Sequence, residues 1–286
     1  MAFFRLCKGE DILEVLREVF RANIVRIPQA GIRPLGLIIQ KDQKTRIWGD
    51  LRDILVGNAA ENLSEYRLFQ MEQIPDLSGR KSRGVDFELG SEILAGFLKG
   101  FSLPAAEINT HLKGSYKYQF SFKGVDRLYV SPSALGKALL GVQIDKYNPA
   151  AKIFFGDHPA RLFVIDSVIR STNFAVHLEA SQETKIKLEA DKIQAVLDAL
   201  KSEIKIKSES EQSIAFEGKE AMAFAFTCLQ IVTDASGRIE LLPVQSRLDE
   251  KDLEARGVEP DESEQEEQSF ETVLLHEEPG MLSWDE

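Results

Sequence analysis

The sequence is poor in the residues that build metal sites and covalent frameworks. It holds only two cysteines, Cys7 and Cys228, so it has no disulfide framework, and their separation fits no zinc site. The four histidines lack the ligand spacing of metal-dependent hydrolases, and no phosphate loop, nucleophile elbow or dinucleotide fingerprint occurs. Asp166 beside Ser167 is an isolated pair of a kind that is usually structural. We therefore predict no enzymatic activity, no metal and no cofactor.

Long hydrophobic runs are also missing. The longest apolar stretches, residues 35–39 and 221–226, are far shorter than the roughly 20 residues that a membrane-spanning helix needs. Residues 1–7 contain Arg5 and too short an apolar stretch for a secretory signal. These absences predict a chain that is made in soluble form and stays in the cytoplasm.

Positive charge is nowhere concentrated, whereas negative charge is. The formal net charge is −11. Residues 244–286 hold fifteen acids and three bases, which gives −12, and residues 1–243 hold the other 32 bases and 31 acids, which gives +1. A nearly neutral body without a basic stripe argues against a nucleic-acid partner. An acidic tail is typical of a solvated, interacting segment, and its loss would make the body more compatible with an anionic membrane surface.

Helical and strand patterns fill the first 243 residues. An amphipathic helix is predicted from the three-and-four spacing of apolar residues at Ile12, Val15, Leu16, Val19 and Phe20. Further helices are predicted over residues 91–101, 133–140 and 191–202. Strands are predicted over residues 24–27 and 35–41, around a loop bounded by prolines 28 and 34, and over residues 162–170, 174–180, 203–216 and 221–233.

Residues 115–123 have the strongest strand pattern of the chain. Polar side chains alternate there with four aromatic ones, Tyr116, Tyr118, Phe120 and Phe122, which is period two over nine residues. Residues 83–89 form a weaker partner. Taken alone, this pattern favours a half-buried strand of a soluble sheet, and it also fits a membrane strand with one apolar and one polar face.

The C-terminal tail has two parts. Residues 244–269 are rich in acids and poor in apolar side chains, a composition typical of linkers. Residues 270–286 regain large apolar side chains, namely Phe270, Val273, Leu274, Leu275, Met281, Leu282 and Trp284. We predict a body of residues 1–243, a linker of residues 244–269, and a peptide of residues 270–286 that docks onto the body of its own chain.

Four segments appear in an order that resembles a known family. They are IVRIP at residues 24–28, IRPLGLIIQK at 32–41, LFVIDSVIRS at 162–171 and AMAFAFTCLQI at 221–231. These segments are similar to the first two strands, the central strand and the last strand of the gasdermin pore-forming domain. Cys7 beside an amphipathic helix is similar to the family's N-terminal cysteine. The resemblance covers residues 1 to about 243, and the short tail is similar to that of the bacterial branch.

The resemblance implies a fold and a mechanism. The fold is α+β, with a twisted, mostly antiparallel central sheet flanked by helices and the short C-terminal peptide packed on it. The intact protein would be an autoinhibited monomer. A caspase-like or other protease would cut the linker, and the body would then insert two amphipathic hairpins into the inner membrane and close into a homo-oligomeric ring. The resulting loss of membrane integrity would kill the cell and limit phage spread.

Candidate site residues follow from the resemblance and from the patterns above. Cys7 is the candidate for a covalent palmitoyl chain; the alternative is a small buried hydrophobic residue. The seven apolar residues of 270–286 are the candidate autoinhibitory contacts. The four aromatic residues of 116–122 are the candidates that face the membrane, with residues 83–89, 174–188 and 203–216 as further hairpin segments.

The protease cut is expected within residues 244–262, because accessible linkers are the usual sites of proteolytic cleavage. The candidates for the residue before the scissile bond are Arg247, Leu248, Leu253 and Arg256. Arg247 and Arg256 are equally compatible with ordinary solvated linker charges.

A second class of function stays open at this point. The chain is also compatible with a soluble interaction module whose acidic, amphipathic tail binds a partner protein. Membrane leakage after removal of the tail distinguishes the two, because a binding module would not permeabilise lipid.

Overall fold

The structure is a computed structural model. It describes residues 12–18, 20–41, 44–57, 59–63, 68–75, 77–78, 85–86, 91, 94–96, 98, 117–155, 159–179, 193–195, 198, 205–210, 212–234, 236–241 and 275.

The described elements are mostly strands. The helices are α1 (Ile12–Glu18), α2 (Ala59–Leu63) and α3 (Pro132–Ala138), with 3-10 turns at Leu51–Ile54 and Pro149–Phe154. The strands are β1 (Asn23–Gln29), β2 (Gly36–Lys41), β3 (Lys44–Asp50), β4 (Gln70–Gln73), β5 (Val85–Asp86), β6 (Lys117–Lys123), β7 (Asp126–Tyr129), β8 (Arg161–Glu179), β9 (Lys205–Ser210), β10 (Ser213–Thr233) and β11 (Ile239–Leu241). The described residues within 91–98 and 193–198 are helical.

One sheet contains all eleven of these strands. Its main path is β1-β10-β8-β2-β3, with β6 and β7 paired along β8, and β9 and β11 paired along β10. Every strand pairing among the described residues is antiparallel. This confirms the predicted α+β fold with a mostly antiparallel central sheet.

The amphipathic pattern at the start of the chain is confirmed by α1. Ile12, Val15 and Leu16 are buried, and Phe20 packs partly buried against the same cluster. Since residues three and four apart share one face of a helix, the apolar side of α1 covers the sheet. Among the described residues, this helix therefore acts as one lid of the core.

A line of irregularities crosses the middle of the sheet, and we call it the crease. In β8 it lies at residues 171–173, and opposite it β10 has four residues, 218–221, between Glu217 and Met222, whose partners are Asn173 and Ser171. On the other side of β8, the pairing passes from β6 to β7 across residues 124–125. The crease divides the sheet into an upper half, around residues 161–170 of β8, and a lower half, around residues 174–179.

Three groups of buried apolar side chains pack on this sheet. The lower cluster lies mainly on the lower half and includes α1, Tyr118, Phe120, Phe122, Phe174 and Phe216. The upper cluster lies on one face of the upper half, where Leu37, Val164 and Leu229 meet α3 and the 3-10 turns. The third group, on the other face of the upper half, contains Leu275, and we call it the Leu275 cluster.

Several strand boundaries differ from the sequence predictions. The separate strands predicted over 162–170 and 174–180 are one strand, β8, because β10 pairs with it on both sides of the crease. Residues 203–216 were predicted as one strand, but they form the β9–β10 hairpin, in which Ser210 pairs with Ser213. The polar alternation there continues through the turn and contains no glycine or proline to mark it.

The first loop also differs slightly from its prediction. β1 continues past proline 28 to Gln29, although its pairing with β10 is irregular between Ile24 and Gln29. A proline has no N–H to donate, so such a residue suits an irregular edge strand. β2 begins one residue later than predicted, at Gly36, because Leu35 has a φ of 69°, which does not continue a strand.

Candidate functional site

The candidate site is the surface on which Leu275 rests. Leu275 is the one residue of the predicted tail that the structure describes, and only 8% of it is exposed. It packs in the Leu275 cluster, whose floor comes from four adjacent strands. These floor residues are Val25 of β1, Phe226 and Cys228 of β10, Phe163 and Ile165 of β8, and Ile38 of β2. A residue far along the chain from the sheet is thus part of its buried core.

Two polar side chains hold the backbone of Leu275. The Leu275 N–H donates to Asn23 Oδ1 at 2.7 Å, and the Leu275 carbonyl accepts from Gln40 Nε2 at 3.4 Å. Asn23 is 5% exposed, and its Nδ2 lies 3.8 Å from the sulfur of Cys228. Buried backbone polar groups need partners. Asn23 and Gln40 meet that need at an apolar surface, and so make this position specific for a backbone segment.

A guanidinium group lies next to this contact. Arg161 Nη1 donates to Gln40 Oε1 at 3.1 Å, and Nη2 donates to Gln230 Oε1 at 3.2 Å. The guanidinium carbon also lies 5.2 Å from the ring centroid of Phe163, within the range of a cation–π contact. The rim of the Leu275 site is therefore polar and positively charged, whereas its floor is apolar.

A small cleft opens beside the same cluster. It has a volume of about 200 Å³ and is lined in part by Ile32 and Ile165, which also belong to the Leu275 cluster. Asp50 lies at its wall, where Arg52 binds both carboxylate oxygens at 2.7 and 2.6 Å. Burial raises the pKa of Asp50, but the hydrogen bonds and charge of Arg52, with Arg33 nearby, outweigh burial and lower that pKa below its usual value.

A buried carboxyl group lies within the upper half of the sheet. Asp166 is the bulged residue of β8, since the neighbouring pairs are Ser167 with Thr227 and Ile165 with Cys228. Its Oδ1 accepts from the Thr227 hydroxyl at 2.8 Å. Burial raises the pKa of Asp166 to about 6, although the Thr227 hydrogen bond and the charge of Arg127 oppose that rise. Thr227 holds the carboxyl group, and the hydroxyl of the neighbouring Ser167 accepts from Arg127 Nε at 2.7 Å.

The described part of the predicted aromatic face, residues 118–122, lies in the lower cluster. Tyr118, Phe120 and Phe122 are all buried, and Phe122 stacks on Phe224 with ring centroids 3.8 Å apart. Phe120 stacks in turn on Phe174 at 5.7 Å. The strand and its apolar face are thus confirmed for the three described aromatic residues. That these residues face a membrane in another state stays a prediction.

Many predicted site residues lie outside the described residues. They are Cys7, Arg247, Leu248, Leu253, Arg256, Phe270, Val273, Leu274, Met281, Leu282, Trp284 and Tyr116. The predicted hairpin segments are described only in part. Cys228, which the sequence placed in a core strand as a packing residue, is fully buried there.

The described part of the chain gives no sign of a metal centre or a spanning helix. No group of three or more potential metal ligands occurs within it. Of the helices in that part, none is long and apolar enough to cross a membrane.

Sequence reasoning missed the polar half of the site. Asn23, Gln40 and Arg161 were not predicted, because single polar residues within strands have no periodicity that marks them. The weak signal available was their position, because each interrupts or borders an apolar strand. Apolar patterning alone could find the floor of the site but not its rim.

Comparison with known proteins adds a family context to this geometry. The model of the Bacterial Gasdermin Family matches residues 25–238. The chain is 30% identical over 236 residues to the protein "Gasdermin bGSDM" of Vitiosangium sp. (strain GDMCC 1.1324), covering 82% of this chain and 86% of that one. It is 26% identical over 214 residues to a "Gasdermin bGSDM" of an unknown prokaryotic organism, covering 73% and 76% of the two chains.

A solved structure shares the fold. The bacterial gasdermin from Bradyrhizobium tropiciagri superposes with a TM-score of 0.57 at 16% sequence identity, over 82% of this chain and 92% of that one. At this level of identity the likeness concerns the fold alone.

Proposed function

Since this chain belongs to the bacterial gasdermin family, we propose that it is an autoinhibited pore-forming protein. The intact chain is a cytoplasmic monomer. A caspase-like or other protease cuts the linker of residues 244–269, and the peptide of residues 270–286 leaves. The body then assembles into a ring whose hairpins form a β-barrel pore in the inner membrane. Cell death follows and acts as anti-phage defence.

The burial of Leu275 is the observation that carries this proposal. The body's last described strand ends at Leu241, and residue 275 nevertheless occupies a core position between β1, β10, β8 and β2. A solvated acidic tail has no physical reason to place an apolar residue there and to bond both of its backbone groups. An inhibitory peptide requires such a contact.

Cutting the linker would lower the effective concentration of the peptide at its site and leave the contacts themselves unchanged. The gain from burying the tail's apolar side chains and the cost of ordering roughly fifteen residues are of similar size, so the separate peptide binds only moderately. While the chain is intact, the peptide has an effective concentration on the order of mM. After the cut, dilution favours its departure. Residues 244–286 together carry a charge of −12 against +1 for the body, so most of this negative charge leaves with the fragment that is cut off.

The lower half of the sheet contains strands that are suited to form the membrane-inserting hairpins. Strands β6 and β9 and the lower parts of β8 and β10 bring together apolar side chains that are now stacked on one another. Only helices and closed barrels satisfy the backbone in lipid. Strands with one apolar face, joined into a closed ring, would meet that requirement once the aromatic face leaves the core for lipid.

Dye release from liposomes of bacterial lipid tests the proposal. A specific protease site is introduced within residues 246–262, and a variant with a scrambled site is the matched control. We expect the cut protein to release dye and the uncut protein and the scrambled variant to retain it. Clean cleavage to a folded product without leakage would contradict the proposal and favour the interaction-module alternative.

We further propose that Cys7 carries a thioester-linked palmitoyl chain that assists insertion. One acyl chain gives only marginal membrane anchoring, so the expected effect of Cys7→Ala is slower leakage after the cut, with the uncut protein soluble and folded. The measurements are the initial rate of dye release and the intact mass of the purified protein. Unchanged leakage kinetics, or an intact mass without an acyl chain, would refute this role.

A further inference from the structure

Arg161 is joined to the tail contact through one side-chain amide. Its guanidinium donates to Gln40 Oε1, and the Nε2 of the same amide donates to the Leu275 carbonyl. Because an amide has one acceptor end and one donor end, the charge of Arg161 turns the donor end toward Leu275. Arg161 therefore positions Gln40 for the tail, in addition to packing on Phe163 in the floor of the site.

The charge of Arg161 has no carboxylate opposite it among the described residues. Its described polar partners are the neutral side chains of Gln40 and Gln230. Other arginines are paired: Arg52 of the 3-10 turn Leu51–Ile54 with Asp50, and Arg170 of β8 with Asp126. An exposed arginine at the rim of a peptide-binding surface is suited to a carboxylate brought by the peptide.

Two carboxylates follow Leu275 closely in the sequence. Glu277 and Glu278 follow Leu275 by two and three residues, and each residue advances the chain by at most about 3.6 Å. The Leu275 carbonyl, from which the chain continues toward them, is the atom that Gln40 binds. With the length of a glutamate side chain added, both carboxylates are within reach of the guanidinium.

We propose that Arg161 is the docking point for Glu277 and Glu278, so that the segment after Leu275 is held by charge as well as by apolar burial. The inference rests on the proposed function only in taking the tail as the inhibitory peptide. The acidic residues of the tail then have a local role, since they select the direction and register in which the peptide lies on the body. This contact also makes docking of the tail peptide sensitive to ionic strength, because salt screens partly exposed ion pairs.

Dissociation of the cut tail tests this inference without a membrane. The full chain, with the engineered protease site and a dye at its C-terminus, is cut in lipid-free buffer, and the anisotropy of the dye reports loss of the peptide. We expect Arg161→Glu to raise the dissociation rate about fivefold at about 50 mM NaCl. Combined reversal of both glutamates, Glu277→Arg with Glu278→Arg, should do the same. Joining the two reversals should restore slow dissociation, and each difference should shrink at about 500 mM NaCl.

Two further variants separate charge from folding. Lys44→Glu makes the same change of charge at the exposed end of the β2–β3 hairpin and should leave the rate unchanged. Arg161→Lys keeps the charge and should retain most of the salt dependence. If Arg161→Glu does not fold, the reversed glutamates on the unchanged body give the deciding rate.

Unchanged dissociation from the variant with both glutamates reversed would overturn the inference, as would failure of the combined reversal to restore it. Leakage is measured separately, on the chain that carries the engineered protease site and none of these charge reversals. Leakage together with an unchanged dissociation rate refutes the Arg161 contact and leaves the pore proposal intact. A charge-dependent dissociation rate without leakage supports the Arg161 contact and contradicts the pore proposal.

Discussion

Replacing Leu275 by aspartate should release the docked tail peptide from the body and make the intact protein permeabilise liposomes without any protease. Leu275 is nearly buried among apolar side chains of four strands. The change removes roughly 1.5–3 kcal/mol of apolar burial and places a carboxylate where it has no charged partner among the described contacts. Together these effects should weaken tail docking by at least about 100-fold. Dye release from liposomes, measured on the uncut chain, gives the result.

Two matched variants show whether the position or the chemistry is responsible. Leu275→Met conserves the volume of the side chain and should keep the protein closed. Leu140→Asp makes the same substitution at a leucine that is 86% exposed and should also leave it closed. If Leu275→Asp is folded and remains tight while cutting still causes leakage, then Leu275 is not part of the inhibitory contact.

Replacing Asp166 by asparagine should stabilise the fold by about 3 kcal/mol at pH 8. The pKa of this carboxyl group rises from 3.8 to about 6 on folding, and a difference of one pKa unit corresponds to about 1.4 kcal/mol. A group whose pKa is raised by folding contributes stability below its unfolded pKa, and that contribution is lost as the pH rises through the folded pKa. Asparagine keeps an acceptor for the Thr227 hydroxyl without a charge to bury.

The pH dependence distinguishes this cause from a general effect of the substitution. Urea unfolding of both proteins should show the full gain of Asp166→Asn at pH 8 and only about 1 kcal/mol near pH 4.5. Asp50→Asn is a control substitution for which the expected change in stability has the opposite sign. Because folding lowers the pKa of Asp50, this substitution should destabilise the protein at pH 8, and its effect should fade as the pH falls. A gain from Asp166→Asn that is equal at both pH values would contradict the burial argument.

The sequence predicted those features of the fold that depend on repeated apolar spacing. The helix at Ile12–Glu18 and the strand at Lys117–Lys123 each repeat one residue type along one face, and burial of that face is what stabilises them. The prediction that the tail docks on the body rested on the same reasoning. Leu275, one of the seven residues predicted to make that contact, is buried against the sheet.

Features that depend on pairs of residues distant in the chain were beyond this reasoning. Asn23 meets Leu275 across 252 positions, and no local pattern joins two such residues. The crease was equally hidden, because the serine, threonine and asparagine of residues 171–173 resemble the start of a loop. In the structure, however, Ser171 Oγ lies 2.5 Å from the carbonyl of Lys123, within hydrogen-bond distance, so the polar residues lie inside a continuous strand.

The crease determines which parts of the protein can lose their structure together. In β1, β8 and β10, the lower cluster reaches into the upper half only at Ile24, Ile169, Phe224 and Ala225, and the two other clusters lie in the upper half. Cooperative units of this kind open separately, each with its own free energy. We therefore expect the described strands of the lower half to open as one unit together with these four residues, while the pairing of the rest of the upper half persists.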